Sequence, residues 1–148
     1  MKVRTDKAAR IAAALIAAAA IGAPALAHHA FQAEFDGNQP IMLQGKVTKV
    51  EWINPHTWVH MIVVTDGTPQ EWMVEAGTPN TLLREGLTRD SLKAGEQIIV
   101  RGYRAKDARC RPACKANGRD VTFTDGRKVF MGSSGTGAPK DGADPNEK

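Results

Sequence analysis

Residues 41–52 contain a long alternation of apolar and polar side chains, and this pattern restricts the chain to a fold built on β-strands. Apolar residues occupy alternate positions as far as Val47, after which Trp52 continues the alternation in the opposite phase. A change of phase within one strand indicates a β-bulge, which we place near Thr48-Lys49. The stretch therefore predicts one long, bent first strand that ends at Asn54-Pro55.

Shorter alternating stretches follow, separated by residues that favour turns. Strands are predicted at about 57–65, 70–76 and 97–104, with a last hairpin that pairs 121–124 with 127–130. Between the third and fourth strands, Thr78-Pro79 resembles a helix start, because a capping hydroxyl precedes a proline at the first helical position. This short helix should run to Arg84 or Glu85 and end at Gly86.

The order of these elements predicts an all-β fold. Three strands, a short helix and further strands match a small OB-like five-stranded barrel with the helix between strands three and four. A small β-sandwich is the alternative. The barrel domain should occupy residues 41–131, preceded by an extended amino-terminal arm at 28–40 and followed by a disordered tail at 132–148, which is rich in Gly, Ser, Pro and charge.

The first 27 residues have the organisation of a signal peptide. Four basic residues precede an apolar run of 12 residues at 11–22, and Ala25-Leu26-Ala27 offers small residues to a peptidase. A membrane-spanning helix needs about 20 apolar residues, so the run favours export over anchoring. The mature chain has no second apolar run and should have no membrane span. We therefore expect a periplasmic or secreted protein.

Removing the leader changes what the charge implies. The whole chain carries +4, but residues 1–27 hold four of its 20 basic residues and one of its 16 acidic residues, which leaves the mature part near +1. Such a balance gives no reason to expect a nucleic acid as partner.

Histidines supply the most specific chemical signal. Cleavage after Ala27 would place His28 at the amino terminus, where its α-amine and imidazole can bind one metal ion together. A nitrogen from another histidine would give three ligands in a T shape, an arrangement that favours copper. The candidates are His29, His56 and His60.

Strand geometry limits this site, because His56 and His60 on a regular strand would stand about 13 Å apart. His28 with His56, helped by His29 or His60, is the preferred set. Cleavage after Ala25 would instead make His28 the third residue, which forms a different chelate. Without metal, the histidines would be exposed polar residues, turn or cross-strand contacts, or a pH-sensitive contact.

Cys110 and Cys114 would meet an oxidising compartment after export, which predicts a local disulfide. A thiol pair that binds copper(I) or exchanges electrons is the alternative. Trp58, Arg104 and Lys106 form a possible ligand face. Alternatively, the tryptophan helps to fill the core and the basic residues belong to a solvated loop.

Several segments together resemble an uncharacterised family of small exported bacterial proteins, domain-of-unknown-function family 6152. They are AHHAF at 27–31, EFD at 34–36, GKVTKVEW at 45–52, NPH at 54–56, PNTLLR at 79–84, TRDSLK at 88–93, GYRAKD at 102–107 and DGRKVF at 125–130. The resemblance implies a periplasmic or secreted domain and brings no reaction with it. Ala30 and Leu87 depart from the family pattern, where serine and tryptophan are expected, and the segment around Cys110 is atypical.

The sequence favours binding over catalysis. It contains no serine–histidine, phosphate-loop or dinucleotide motif, and the spacing of its acidic residues defines no mechanism. The main hypothesis is a non-enzymatic exported domain that binds an unknown small ligand or a periplasmic protein. The alternative is a protein that binds copper or another transition metal through the mature amino-terminal histidine.

Overall fold

A computed structural model describes residues 31–132. The predicted leader, His28, His29 and residues 133–148 of the predicted tail lie outside this range. After a helical turn at 31–34, the described part contains six strands and a short helix: β1 (Phe35–Glu51), β2 (Trp58–Thr65), β3 (Thr68–Glu75), α1 (Pro79–Arg84), β4 (Gln97–Ala105), β5 (Cys114–Phe123) and β6 (Lys128–Phe130). Over residues 31–132 we find no helix of the length and apolarity that a membrane crossing requires.

The strands form one sheet in the order β3-β2-β1-β4-β5-β6, and neighbours in this order run antiparallel. In addition, β3 pairs with β5 in parallel, from Trp72 beside Cys114 to Glu75 beside Asn117. The all-β prediction is confirmed. The predicted barrel had five strands, whereas the sheet has six; β6, the second strand of the predicted hairpin, pairs with β5 at the edge of the sheet.

The first strand is longer than its alternation suggested. The predicted bulge is confirmed, because the register between β1 and β2 shifts between Val47 and Lys49. The predicted arm at 28–40 differs from the structure: residues 31–34 form one helical turn and the strand already begins at Phe35. A tertiary contact explains this difference: Phe31 packs against Phe35 and against Tyr103 of β4, each at 5.7 Å between ring centroids.

The helix is confirmed with its predicted ends. Thr78 is the N-cap, and its hydroxyl accepts a hydrogen bond from the backbone N–H of Thr81 at 3.1 Å. Gly86 adopts a φ of +88°, a left-handed conformation that glycine adopts without steric cost, just after the helix. The helix places Leu82 in the main core with no exposed surface.

The fifth strand starts seven residues before the predicted position, at Cys114 instead of Val121. The segment 117–120 carries no apolar alternation, yet it lies between two strands and is almost wholly buried. At Gly118, a Cβ would lie 2.9 Å from Val74 and Met131, so the packing requires glycine. Buried Asp120 accepts hydrogen bonds from the Nε atoms of Arg119 at 2.8 Å and Arg101 at 3.1 Å, which compensates the buried charges.

Two apolar clusters lie on opposite faces of the sheet. The main core contains Val74 and Ala116, together with the helix and most inward side chains. Because successive side chains of a strand point to opposite faces, the neighbours Glu75 and Asn117 lie on the other side, here called the outer face. A smaller cluster of Phe31, Phe35, Tyr103 and Ala105 covers part of this outer face.

Candidate functional site

The outer face carries a group of polar side chains between β2, β3 and β5. Glu75 lies opposite Trp58 of β2 on one side and beside Asn117 of β5 on the other. Paired residues point to the same face of a sheet, so the three side chains are neighbours. With their contacts they form what we call the outer-face cluster: Glu34, His56, Trp58, Glu75, Lys115 and Asn117.

His56 and Glu75 form the central contact of this cluster. His56 lies in the loop between β1 and β2, and its Nδ1 stands 2.9 Å from Oε1 of Glu75. The carboxylate side chain is only 8% exposed, whereas the imidazole is 34% exposed. The contact uses one ring nitrogen and leaves Nε2 of His56 available to a ligand.

Burial governs the charge of this pair. It raises the pKa of Glu75 from 4.5 to about 7, and the negative charge of Glu34 adds to the rise while Lys115 opposes it. Burial also lowers the pKa of His56, against the opposing effect of Glu34. Both changes disfavour the charged forms, so we interpret the 2.9 Å contact as a hydrogen bond that shares one proton near neutral pH, and not as a full ion pair.

Polar contacts join the amino-terminal turn at 31–34 to the outer-face cluster and to Lys106. Lys115 Nζ lies 3.1 Å from Oε1 of Glu34 and 5.7 Å from the ring centroid of Trp58. The backbone N–H of Lys106 donates to the carbonyl of Glu34 at 2.9 Å, and its ammonium donates to the carbonyl of Gln32. The described chain therefore begins beside the cluster.

Asn117 is the least expected member of the cluster. Its side chain has no exposed surface, and neither Oδ1 nor Nδ2 has a hydrogen-bond partner within residues 31–132. A buried amide without partners costs on the order of 1–3 kcal/mol, and native structures contain few of them. It lies beside Glu75 in the pairing of β3 with β5.

The structure separates the two histidines that it describes. His60 also lies on the outer face, but its ring nitrogens approach other carboxylates: Nε2 is 3.7 Å from Glu51 and Nδ1 is 3.9 Å from Glu71. Within the described range, no three His, Cys, Asp or Glu side chains are grouped so that they could hold a metal ion. His28 and His29, the other predicted ligands, lie outside that range.

The three residues of the predicted ligand face have different neighbours. Trp58 belongs to the outer-face cluster. Arg104 places its guanidinium 5.7 Å from the ring centroid of Trp72 and 3.9 Å from Sγ of Cys110. Lys106 holds the amino-terminal turn, as described above.

The predicted disulfide between Cys110 and Cys114 is present. It closes a short loop that enters β5, and Cys114 is buried beside Trp72. Neither thiol is free to act as a metal ligand in this state.

Sequence reasoning did not select four residues of the outer-face cluster: Glu34, Glu75, Lys115 and Asn117. Glu75 lies on the face of β3 away from the core, and no local pattern indicates that pairing with β2 and β5 would bury it. Asn117 gave no signal, because its neighbours lack strand-like alternation.

Comparison with known proteins places these residues in a family. No curated protein matches the chain. A family model described as a family of unknown function (DUF6152) matches residues 15–113. The match contains Glu34, His56 and Glu75 and ends just before Lys115 and Asn117. Because it covers more than half of the sequence, the chain belongs to the DUF6152 family of unknown function.

Proposed function

We propose that this chain is an exported, non-enzymatic binding domain of OB type whose ligand contacts the outer-face cluster. The pairings supply the argument for the barrel: β1, β2, β3, β5 and β4 form a closed circuit, in which the last step back from β4 reaches β1. The helix falls between β3 and β4, and a small Greek-key barrel of this kind is typical of OB folds.

The position of the cluster agrees with this proposal. OB folds bind ligands on the face of strands two and three and with the loops that join strands one to two and four to five. Here His56 lies in the first of those loops, Trp58 and Glu75 lie on strands two and three, and Lys115 follows the other loop. The cluster thus corresponds to the region where OB domains bind their ligands.

One observation carries the proposal: Asn117 is fully buried beside Glu75 without a hydrogen-bond partner in the described range. A ligand that displaced the side chains covering this amide, and both donated to it and accepted from it, would remove that cost. The proposal therefore favours a small polar ligand, or a polar group of a periplasmic protein, over an apolar one.

The experiment uses the mature chain 28–148 as bait in a periplasmic extract, followed by mass spectrometry of retained molecules. We expect one species to be retained by the wild type and by His60→Ala, and lost with Asn117→Leu and His56→Ala. His60→Ala is the matched control, because His60 lies on the same face outside the cluster. Equal retention by all four proteins, or retention by none, would contradict the proposal.

A further inference from the structure

We propose that a groove across the outer face of β2, β1 and β4, here called the central groove, binds an oligosaccharide that carries a carboxylate group. The groove has a volume of about 650 Å³, which is typical of ligand sites. It is lined by Gln44, Lys46, Thr48, Ile62, Val64 and Gln97 and by the backbone of Gly45. It shares no residue with the outer-face cluster and would therefore be a second, separate binding site.

The register of the strands places the lining side chains next to one another. Lys46 of β1 lies opposite Ile62 of β2 on one side and opposite Gln97 of β4 on the other. Gln44 of β1 lies opposite Ile99 of β4. Paired residues point to the same face of a sheet, and the residues of β1 that alternate with Gln44 and Lys46 are buried in the direction of the main core. The side chains of the groove therefore point outward, where a ligand can reach them.

The central groove continues toward β5. A second depression of about 280 Å³ shares Gln44 and Gln97 with it and adds Ile99, Thr122 and Phe123, among others. Because β2, β1, β4 and β5 are neighbours in the sheet, the two depressions together cross four strands. Neighbouring strands lie about 4.8 Å apart, so this path is about 14 Å long. Its length suits an elongated ligand better than a compact one.

Most of the polar side chains along this path are neutral. The amides of Gln44 and Gln97 and the hydroxyls of Thr48 and Thr122 can each donate and accept hydrogen bonds. A sugar hydroxyl also does both, so it can pair with any of these groups. An acyl chain laid over them would displace their water without replacing its hydrogen bonds, which costs free energy. The polar lining therefore favours a sugar over a lipid chain.

Apolar side chains lie beside the polar ones. Ile62 and Ile99 are partly buried, and Val64 is 62% exposed. The C–H groups on the face of a sugar ring can pack against such side chains and remove apolar surface from water. The groove thus offers both kinds of contact that a sugar ring makes.

Lys46 selects for a negative charge on the ligand. Among the described residues that line the two depressions, Lys46 alone is charged, and no carboxylate within residues 31–132 forms an ion pair with it. Glu71 of β3 lies opposite Ile62, on the side away from Lys46, and its carboxylate is 3.9 Å from Nδ1 of His60. A ligand carboxylate beside Lys46 would form a charge-assisted hydrogen bond with the ammonium.

The experiment adds trigalacturonate, or its uncharged methyl ester, to the ¹⁵N-labelled mature protein and follows the NMR spectrum. We expect trigalacturonate to shift the side-chain amide signals of Gln44 and Gln97 and the backbone signals around Lys46. The methyl ester should shift the same signals with a Kd about fivefold higher, because it lacks the carboxylates that Lys46 would contact.

Variants separate the charge from the hydrogen bonds. Lys46→Gln should raise the Kd for trigalacturonate about fivefold and remove the preference over the methyl ester, whereas Lys93→Gln, the same change at an exposed lysine outside the groove, should match the wild type. Replacing Gln44 and Gln97 together by Ala should raise the Kd for both ligands about tenfold. His56→Ala should bind trigalacturonate as the wild type does. The altered groove residues are exposed, and the spectrum of each free variant establishes that it is folded.

Four results would overturn the proposed sugar site. They are the absence of shifts with millimolar trigalacturonate, shifts confined to the outer-face cluster, equal affinity for the acid and its ester, and a Lys46→Gln protein with unchanged affinity for the acid. Sodium decanoate that shifted the same signals at a lower Kd would identify an acyl chain as the ligand and also reject the sugar. None of these results bears on the outer-face cluster, because retention of an extracted molecule depends there on His56 and Asn117.

Discussion

Glu75→Gln should stabilise the folded protein at alkaline pH, although it removes a polar contact. Gln has nearly the shape of a protonated glutamate and keeps a hydrogen-bonding group beside His56. The substitution removes the negative charge of Glu75. Burial and the neighbouring Glu34 disfavour this charge, and Lys115 compensates it only in part. The effect therefore depends on whether Glu75 is ionised in the wild type.

The magnitude follows from the pKa of Glu75, which is 4.5 in an unperturbed glutamate and about 7 in the folded chain. Because the folded state holds this proton more tightly, the stability that it contributes is fully present below pH 4.5 and is lost as the pH rises through 7. One pKa unit corresponds to about 1.4 kcal/mol, so the wild type loses about 3 kcal/mol over this range. The free energy of unfolding of the Glu75→Gln variant should not show this decrease.

His56 contributes in the opposite sense. Its pKa is lowered from 6.5, so the stability that it contributes is present above pH 6.5 and is lost as the pH falls through the lower, folded pKa. The histidine is present in both proteins, and its contribution largely cancels when their free energies of unfolding are compared at one pH.

Urea denaturation of metal-free wild type and Glu75→Gln at pH 4, 6 and 8 measures the difference. The two proteins should be equally stable at pH 4, and the variant should be more stable by about 3 kcal/mol at pH 8. Glu71→Gln is the matched control, because its carboxylate on the same strand is 50% exposed, and it should change stability by less than about 0.5 kcal/mol throughout. A variant that is less stable than wild type at pH 8 would refute the reasoning and indicate a true ion pair with His56.

Three further substitutions test the fold. Asp120→Ala should lower the free energy of unfolding by about 3 kcal/mol in urea denaturation, because it removes the carboxylate that compensates buried Arg119 and partly buried Arg101, whereas Asp107→Ala, at an exposed pair, should change it little. Thr78→Ala should cost about 1 kcal/mol through loss of the helix cap, measured in the same way, and a protein with Thr124→Ala, at an exposed turn position, that lost as much would argue against the cap as cause. Replacing Cys110 and Cys114 together by Ser should cost about 2 kcal/mol, since the closed loop is short; a thermal scan that loses the transition altogether would contradict this.

Local patterns predicted the elements that depend on local physics. The change of phase at Val47 predicted the bulge, because each side chain of a strand is committed to one face. Thr78 and Gly86 predicted both ends of the helix, because a cap and a left-handed residue act within a few positions. The early start of β5 escaped prediction, since Asn117 and its neighbours become a strand only by pairing on both sides.

The candidate site was predictable only in part. His56 was identified from its residue type, as a candidate metal ligand. Its partner Glu75 was not, because a carboxylate on the outer face of a strand is ordinarily solvated. Glu75 is buried where β3 pairs with both β2 and β5, and β5 is distant from β3 along the chain.

The sequence by itself determined an all-β chain with one short helix, and a histidine that stands directly behind the predicted cleavage site. These follow from alternation, capping and composition, which act over a few residues. Tertiary structure alone decided that β3 pairs with β5, that Glu75 and Asn117 are buried side by side, and that His56 contacts one of them while His60 does not. Contacts of this kind join residues distant along the chain, and no local pattern encodes the loss of solvent that gives Glu75 its pKa of about 7.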